Sequence, residues 1–448
     1  MSQPLDALTK SLLQAATRAG ADAADAKAVQ ATSLSVDVRG GRLEQAERSE
    51  GVDIGLRVFV GRRSATVSAS DLSQRTIDEM AMRAVAMARE APEDPYTGLA
   101  DPDQLARDWD LAALELYDDT PEPSPETLQE EAARAEAAAL AVSDVTQVQS
   151  ASAGYGRQRI HVAMTNGFEG GYGRTDKGLS CVAIAGTGTK MERDYDGDGR
   201  IFQSDLRTPE DIGTSAGSRA VQRLGARKPP TGSYPVLFDE RISSSLIGHL
   251  LSAVNGSAVA RGASFLRDAL GQPVLPDHLS LIEDPHRPRV SGSRPFDGEG
   301  LPTRRRVIVD KGVLTGWTLD LATSRKLGME PTGNAARSTS SGPMATNWNV
   351  SLTQGTHSRQ ELIREMGTGL LVTSMIGSTI NPNTGDYSRG ASGLWVENGE
   401  ITHAINECTI AGNLRDMLRS IIPANDARLH LSRVVPSLLV PGMTLAGA

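Results

Sequence analysis

The chain predicts an α+β fold, with antiparallel hairpins and separate helices in place of a regular βαβ alternation. Three observations carry that expectation. A helix, a short run of alternating strands and a second helix occupy the N-terminal part in that order. Tight glycine turns, Asn166-Gly167, Asp310-Lys311-Gly312 and Asn398-Gly399, join apolar runs as hairpin turns do. Glycine (45) and proline (23) are plentiful while aromatics make up only 4%, so the core should be aliphatic and the turns many.

In order, Leu8, Leu12, Leu13 and Ala16 fall near helical spacing over Leu5 to Ala19, and Gly20 ends that helix. Leu34 to Val38 alternates as a strand, Gly40-Gly41 turns it into a short strand around Leu43, and Gly51 to Val60 alternates again. Gly61-Arg62-Arg63 turns that strand into Ala65 to Ser68, and Asp71 or Ser73 caps a helix running through Ala88. Residues 1–95 therefore read as an N-terminal α+β domain. The proline-dotted, acidic stretch 96–124 reads as a linker. In 125–227 an Ala/Glu-rich helix from Pro125 to about Ala141 precedes strands Val145 to Ser152 and Ile160 to Met164, joined through Gly154-Tyr155-Gly156. A further strand (Leu179 to Ala185) and a helix (Pro209 to Leu224) complete this middle segment. Lys228-Pro229-Pro230 breaks the chain, and 228–448 reads as a larger mixed α+β domain. It holds the strand Val236 to Phe238, a helix marked by Ile242, Leu246, Leu250 and Val254 and ending at Gly256, and the strand Val307 to Val309. Apolar runs at Val434-Val435 and Leu438 to Val440 should complete a sheet.

A length of 448 residues is enough for cores that need no disulfides, and 39% hydrophobic with 23% charged residues is the balance of a soluble globular protein. The net charge of −9 disfavours a large phosphate-binding surface, and with it nucleic acid as a partner. The basic triplet Arg304-Arg305-Arg306 is expected at a solvated strand edge. Cys181 and Cys408 stand far apart, which suggests neither a disulfide framework nor a thiolate cage and fits a reducing compartment. The N-terminus lacks a basic region followed by an apolar run, and no window approaches a membrane span, so a cytoplasmic location is expected.

The densest stretch runs from Met366 to Asn413. Apolar strands at Leu370 to Val372 and Leu394 to Val396 bracket the heptapeptide Gly385-Asp386-Tyr387-Ser388-Arg389-Gly390-Ala391. Read as a loop, it either buttresses a domain core through glycine turns and side-chain hydrogen bonds or presents itself to a ligand. Four patterns invite chemistry and fall short of it. A metallopeptidase helix carries two histidines and a glutamate on one face, yet the candidate helix holds only His249, with Ser245, Ala253 and Val254 around it. In an extended segment, His403 and Glu407 would sit about 13 Å apart with Cys408 on the other face, so one metal cannot join them. Asp194-Tyr195-Asp196-Gly197-Asp198-Gly199 resembles half of an EF-hand loop, but position twelve is Asp205 and a strand precedes it, which favours an acidic hairpin and leaves calcium binding open. Gly213-Thr214-Ser215-Ala216-Gly217 spells a nucleophile elbow at a helix start, where no elbow can form.

Long, ordered matches then point to a family. Met366 to Leu370, Thr384 to Ala391 and Trp395 to Ile401 resemble the TldD/PmbA family, PmbA/TldE branch. Phe296-Asp297-Gly298-Glu299-Gly300, Arg325 to Gly328, Thr409 to Leu414 and Gly55 to Val58 support the match. The resemblance implies a heterodimeric zinc metallopeptidase that processes peptides. A TldD-type subunit would carry HExxxH and the zinc, and this chain, with no catalytic or metal residue of its own, would complete the substrate chamber. It implies no cofactor in this chain, a TldD-type partner, a possible homodimer when alone, peptide substrates and no membrane, and it brings with it a label of gyrase modulator. Gly385, Asp386, Tyr387, Ser388, Arg389 and Gly390 are the expected chamber wall or interface. The alternatives are a stand-alone homodimeric peptide-binding protein and an autonomous metallopeptidase with unconventional ligands among His249, His403, Glu407 and Cys408.

Overall fold

The computed structural model describes residues 4–447. One antiparallel sheet of six strands builds its first half, in the order β3-β2-β1-β4-β5-β6. The strands are β1 (Ala23–Arg39), β2 (Arg42–Val60), β3 (Arg63–Ala69), β4 (Val145–Met164), β5 (Glu169–Ala185) and β6 (Glu192–Arg200). Helices α1 (Leu5–Arg18) and α2 (Gln74–Glu90) cover one end of a sheet face, packing Leu8, Leu12 and Ile77 over Ala24, Ala26, Ile54 and Leu56. A one-turn helix α3 (Leu111–Leu114) follows in the connection, and α4 (Pro125–Leu140) and α5 (Pro209–Gln222) cover the other end through Leu128, Ala135 and Ile212 over Val36, Val38 and Leu179. Because side chains alternate along a strand, the even residues of β1 turn to this helical face, and Ala24, Ala26, Ala28, Leu34, Val36 and Val38 are buried in it. The odd residues, Asp25 and Lys27 among them, face the opposite way.

The strands are longer than the pattern predicts. The segments around Leu43 and from Gly51 to Val60 are one strand, since Gly51 simply pairs with Ala31, and Leu34 to Val38 is only the far end of β1. Gly154-Tyr155-Gly156 makes no turn, so Val145 to Ser152 and Ile160 to Met164 are one strand too. Both glycines lie in register within β4, and at Gly156 a Cβ would meet the Asp176 carboxylate at 2.7 Å. Neither reverses the chain, and Gly156 leaves room for a close neighbour. Gly213 and Gly217 likewise let α5 approach α4, where a Cβ on Gly213 would overlap the Ala135 carbonyl, so the elbow-like spelling is a helix contact.

Stretch 96–124 is packed between the halves: Ala106 and Leu105 join Phe168, Phe296 and Trp109 in a small apolar cluster, and Arg325 donates to the carbonyls of Tyr96, Gly98 and Leu99. Its proline and acid content signalled only the lack of a helix or strand period.

The second half wraps a mixed sheet around helix α6 (Glu240–Ala253). It contains β7 (Gly232–Phe238), β8 (Leu281–Glu283), β9 (Arg306–Asp310), β10 (Val313–Leu314), β11 (Ala335–Ala336), β12 (Met344–Ala345), β13 (Val350–Leu352), β14 (Gly369–Ile380), β15 (Asp386–Glu397), β16 (Glu400–Asn413), β17 (Ile422–Pro423), β18 (Arg433–Val434) and β19 (Leu438–Ala446). The order β16-β15-β14-β7-β19-β17, with β16 also bonded to β19, curls this sheet into a barrel-like form, and β10-β9-β8-β13-β18 makes a smaller sheet beside it. Phe238, Leu246, Leu250, Tyr387, Trp395 and Ile410 share one buried core inside it. Gly256 does not end α6 but opens the short helix Gly256–Ala260, for Asn255 caps it through the Ser257 N–H. Arg306 also departs from expectation: its Nε donates to the buried Glu283 carboxylate at 2.5 Å and its Nη1 to the Trp317 carbonyl, so only Arg304 and Arg305 of the triplet stand in solvent.

Candidate functional site

The heptapeptide read as a loop is strand for nearly its whole length. The reversal lies before it, at Asn381 to Gly385, where Gly385 takes φ +84 and donates its N–H to the Asn381 carbonyl. From Asp386 onward, β15 pairs with β14 on one side and β16 on the other. Asp386 locks the reversal by accepting from Thr384 Oγ1 at 2.6 Å and Asn413 Nδ2 at 3.1 Å, which together hold its carboxyl below the usual range. Tyr387 is buried; its hydroxyl donates to Met375 Sδ at 3.3 Å and burial pushes its pKa up to about 12. Arg389 donates from Nε to the Gly377 carbonyl at 2.8 Å, Ser388 is half-buried, and Gly390 is kept free of a Cβ by Ile376, whose Cγ2 would lie 2.6 Å away.

Alternation along β15 puts Tyr387 and Arg389 on one face, and that face meets α6. The His249 ring stands edge-on to Tyr387 with centroids 5.8 Å apart. Burial, reinforced by the Arg389 charge, holds the His249 imidazole below its usual range, and its Nε2 is buried without a hydrogen-bond partner. Beside it opens a cavity of about 390 Å³ lined by Ser252, Asn255, Arg261, Phe265, Ile380 and Pro382. A second cavity, of about 640 Å³, lies between β6 and the middle of β14, β15 and β16, with Gly390, Met375, Ile376 and Cys408 in its wall. The candidate segment and its reversal thus border two cavities, while Asp386 and Tyr387 are consumed in holding the hairpin. Sequence reading missed the meeting of His249 with Tyr387 and Arg389, because partners so far apart in the chain leave no local signal.

The other patterns disperse. Residues 406 and 407 form a bulge against Ser392, with Glu407 at φ +52, so the alternation assumed across His403, Glu407 and Cys408 breaks there. Glu407 pairs with Lys228 at 3.6 Å, the Cys408 thiol donates to the Ala391 carbonyl, and His403 Nδ1 touches Thr402. Asp194, Asp196 and Asp198 are strand residues bound to arginines, not an ion loop: Asp196 alone takes Arg207 and Arg219, each at 2.8 Å.

A zinc site takes three or four sulfur, imidazole or carboxylate ligands. Counting an HExxxH pattern back from His249 reaches Ser244 and Ser245, and the cavity wall beside it supplies a guanidinium in place of a carboxylate. Among the described residues no three His, Cys, Asp or Glu side chains cluster as ligands. The residues on and beside α6 do not fit zinc.

The fold defines a class of α+β proteins in two halves, with the heptapeptide strand laid against α6, and sequence comparison makes that class specific. Residues 24–88, 118–224 and 231–447 match the models of PmbA/TldA metallopeptidase domain 1, the central domain and the C-terminal domain. The chain is 39% identical to the metalloprotease PmbA of Escherichia coli O157:H7 over 95% of its own length and 92% of the relative's. It belongs to the PmbA/TldD family. A structure from Bacteroides thetaiotaomicron, described as a candidate modulator of DNA gyrase, superposes with TM-score 0.91 at 28% identity, covering 99% of this chain and 98% of that one. TldE from Thermococcus kodakarensis superposes with TM-score 0.85 over 98% and 100% of the two chains, and at 20% identity it shows the shared fold alone.

Proposed function

We propose that this chain is the TldE-type, non-catalytic subunit of a heterodimeric zinc metallopeptidase, and that it lends the walls of the peptide chamber to a TldD-type partner. One observation carries the proposal. At the helix where the family's catalytic subunit places its ligands, His249 stands alone, its Nε2 unpartnered and its charge environment set by Arg389. A cation beside a lone imidazole opposes a second, divalent charge. The E. coli relative is named a metalloprotease, and on this reading the activity behind that name belongs to the assembled pair. The Gly385 to Gly390 segment, whose Gly390 lines one cavity and whose preceding reversal places Pro382 at the other, is the proposed wall.

Zinc content by elemental mass spectrometry tests the proposal directly. The purified chain is expected to hold almost none, and the co-purified pair about one zinc per heterodimer. Mixing the subunits should give peptide cleavage that a chelator abolishes and that neither the chain nor a zinc-free partner shows. Stoichiometric zinc in the isolated chain would overturn the assignment and favour an autonomous enzyme, and an unchanged partner rate on mixing would remove the chamber role.

A further inference from the structure

The second face of the six-stranded sheet does not pack flush against the C-terminal half. Between them lies a cavity of about 390 Å³ lined by Lys27, Arg174, Arg294 and Arg337, against only Asp176 and Asp297. Lys27 comes from β1, Arg174 and Asp176 from β5, Arg294 and Asp297 from the turn before β9, and Arg337 from the end of β11.

Three of these cations are bonded to dipoles, not to charges. Lys27 Nζ donates to the Arg337 carbonyl at 2.6 Å, Arg174 Nη2 to the Ser291 carbonyl at 2.5 Å, and Arg294 Nη1 to the carbonyls of Ser291 and Ser293 at 3.0 and 2.6 Å. Among the described residues none of these three forms an ion pair with a carboxylate. Arg337, buried behind the wall, does pair with Asp25, but Asp25 is shared with Arg57, and Nε and Nη2 of Arg337 have no partner. The carboxylates on hand do not restore the balance. Asp297 accepts three backbone N–H groups, from Glu299, Leu301 and Ala335, and burial raises its pKa, while Asp176, its own carboxyl raised by burial, acts on Arg174 through space without forming an ion pair among the described residues. Burial and the neighbouring cations lower Lys27 to about 8 and Arg174 to about 10. In a chain of net charge −9, four cations around one small cavity do not follow from composition. Like charges held together in a half-buried space are costly unless an anion joins them.

We propose that this cavity binds a small doubly charged oxyanion, of the phosphomonoester or dicarboxylate kind, through Lys27, Arg174 and Arg294. The volume exceeds that of a bare oxyanion, and Tyr172 and Phe296 offer aromatic surface for an organic remainder. Arg174 and Arg294 supply planar N–H forks suited to either head group. The site reaches the sheet face and the C-terminal half at once, so the ligand would bridge them.

The probes are inorganic phosphate and succinate, each titrated calorimetrically into the full chain at one low ionic strength, because salt screens such attraction. Saturable binding at one site per chain is expected for at least one probe, weakened about tenfold or more in Arg174→Gln and in Arg294→Gln. Phosphate alone assigns the ester class and succinate alone the carboxylate class. A cation kept only for stability would lower the melting temperature when removed. Here each ligand-free variant should melt at or above the parent temperature while losing the ligand-dependent rise. Should either arginine variant fail to fold, Lys27→Met under the same criteria decides. No saturable heat up to about 20 mM of either probe, or parental affinity in the variants, overturns the proposal.

Discussion

Along β6, Asp194 faces Arg241 at 3.1 Å, Asp196 faces Arg207 and Arg219, and Asp198 faces Arg200 at 2.9 Å and His430 at 3.4 Å, so each carboxylate of that acidic strand has a cationic partner. Across the same sheet, Lys27, Arg174 and Arg294 around the cavity face carbonyls and one another. Similar charge densities therefore do different work. Matched charges fasten segments, as Arg241 of α6 is fastened to the sheet, whereas unmatched charges leave binding capacity unspent. Composition cannot distinguish the two, since only the fold decides which charges meet.

Asp25 is the largest test of that contrast, for among the described residues it alone holds two buried guanidiniums, Arg57 and Arg337. Burial alone would raise its carboxyl, but the two arginines outweigh it and hold the pKa below the usual value. Asp25→Ala should cost about 3–5 kcal/mol in urea unfolding, because two cations then remain buried unpaired. A cost under about 1 kcal/mol would mean that water already compensates them.

Lys27 tests the unmatched side. Its folded pKa of about 8 lies below the ordinary 10.5, so between these values the unfolded chain binds the extra proton and stability rises with pH. The gain is bounded at about 3 kcal/mol, and Lys27→Met should flatten that limb when unfolding is followed from pH 8 to 10. A slope unchanged in the variant would place the relevant charge elsewhere.

The smallest effect concerns Asp196. Burial raises its carboxyl, yet Arg207 and Arg219 bring it below 3.8 overall. Its contribution is thus fully present above that value and disappears as pH falls through the lower folded value. Asp196→Asn should cost about 2 kcal/mol at neutral pH and remove this acid limb, whereas a loss independent of pH would assign the effect to packing.

The sequence announced the hairpin turns and helix caps well, because these signals are local: Asn166-Gly167 closes β4 onto β5 with Gly167 at φ +98, and Ser73 caps α2. It misjudged glycines. Gly154 and Gly156 read as a turn and lie inside a strand, since a glycine that a close neighbour requires, as Asp176 does at Gly156, looks in sequence like one required for a turn. The candidate segment was found by its density of glycine and aromatics, yet its lean onto His249 depends on pairing between β15 and its neighbours and had no local trace. The cavity cations, spread from residue 27 to residue 337, could be gathered only by the fold.

The continuity of β1 with β4 also governs how the molecule assembles itself. The β1–β2–β3 and β4–β5–β6 units can each zip from local turns, but joining them requires Asp25 to find Met164 and Val38 to find Ala151 across more than a hundred residues of chain. A slip of one residue would turn Ala24, Ala26 and Ala28 toward the charged face and Asp25 and Lys27 into the aliphatic core. The buried charges therefore act as a proofreading device for the register. Refolding should show two fast local phases and a slower docking phase limited by this one seam.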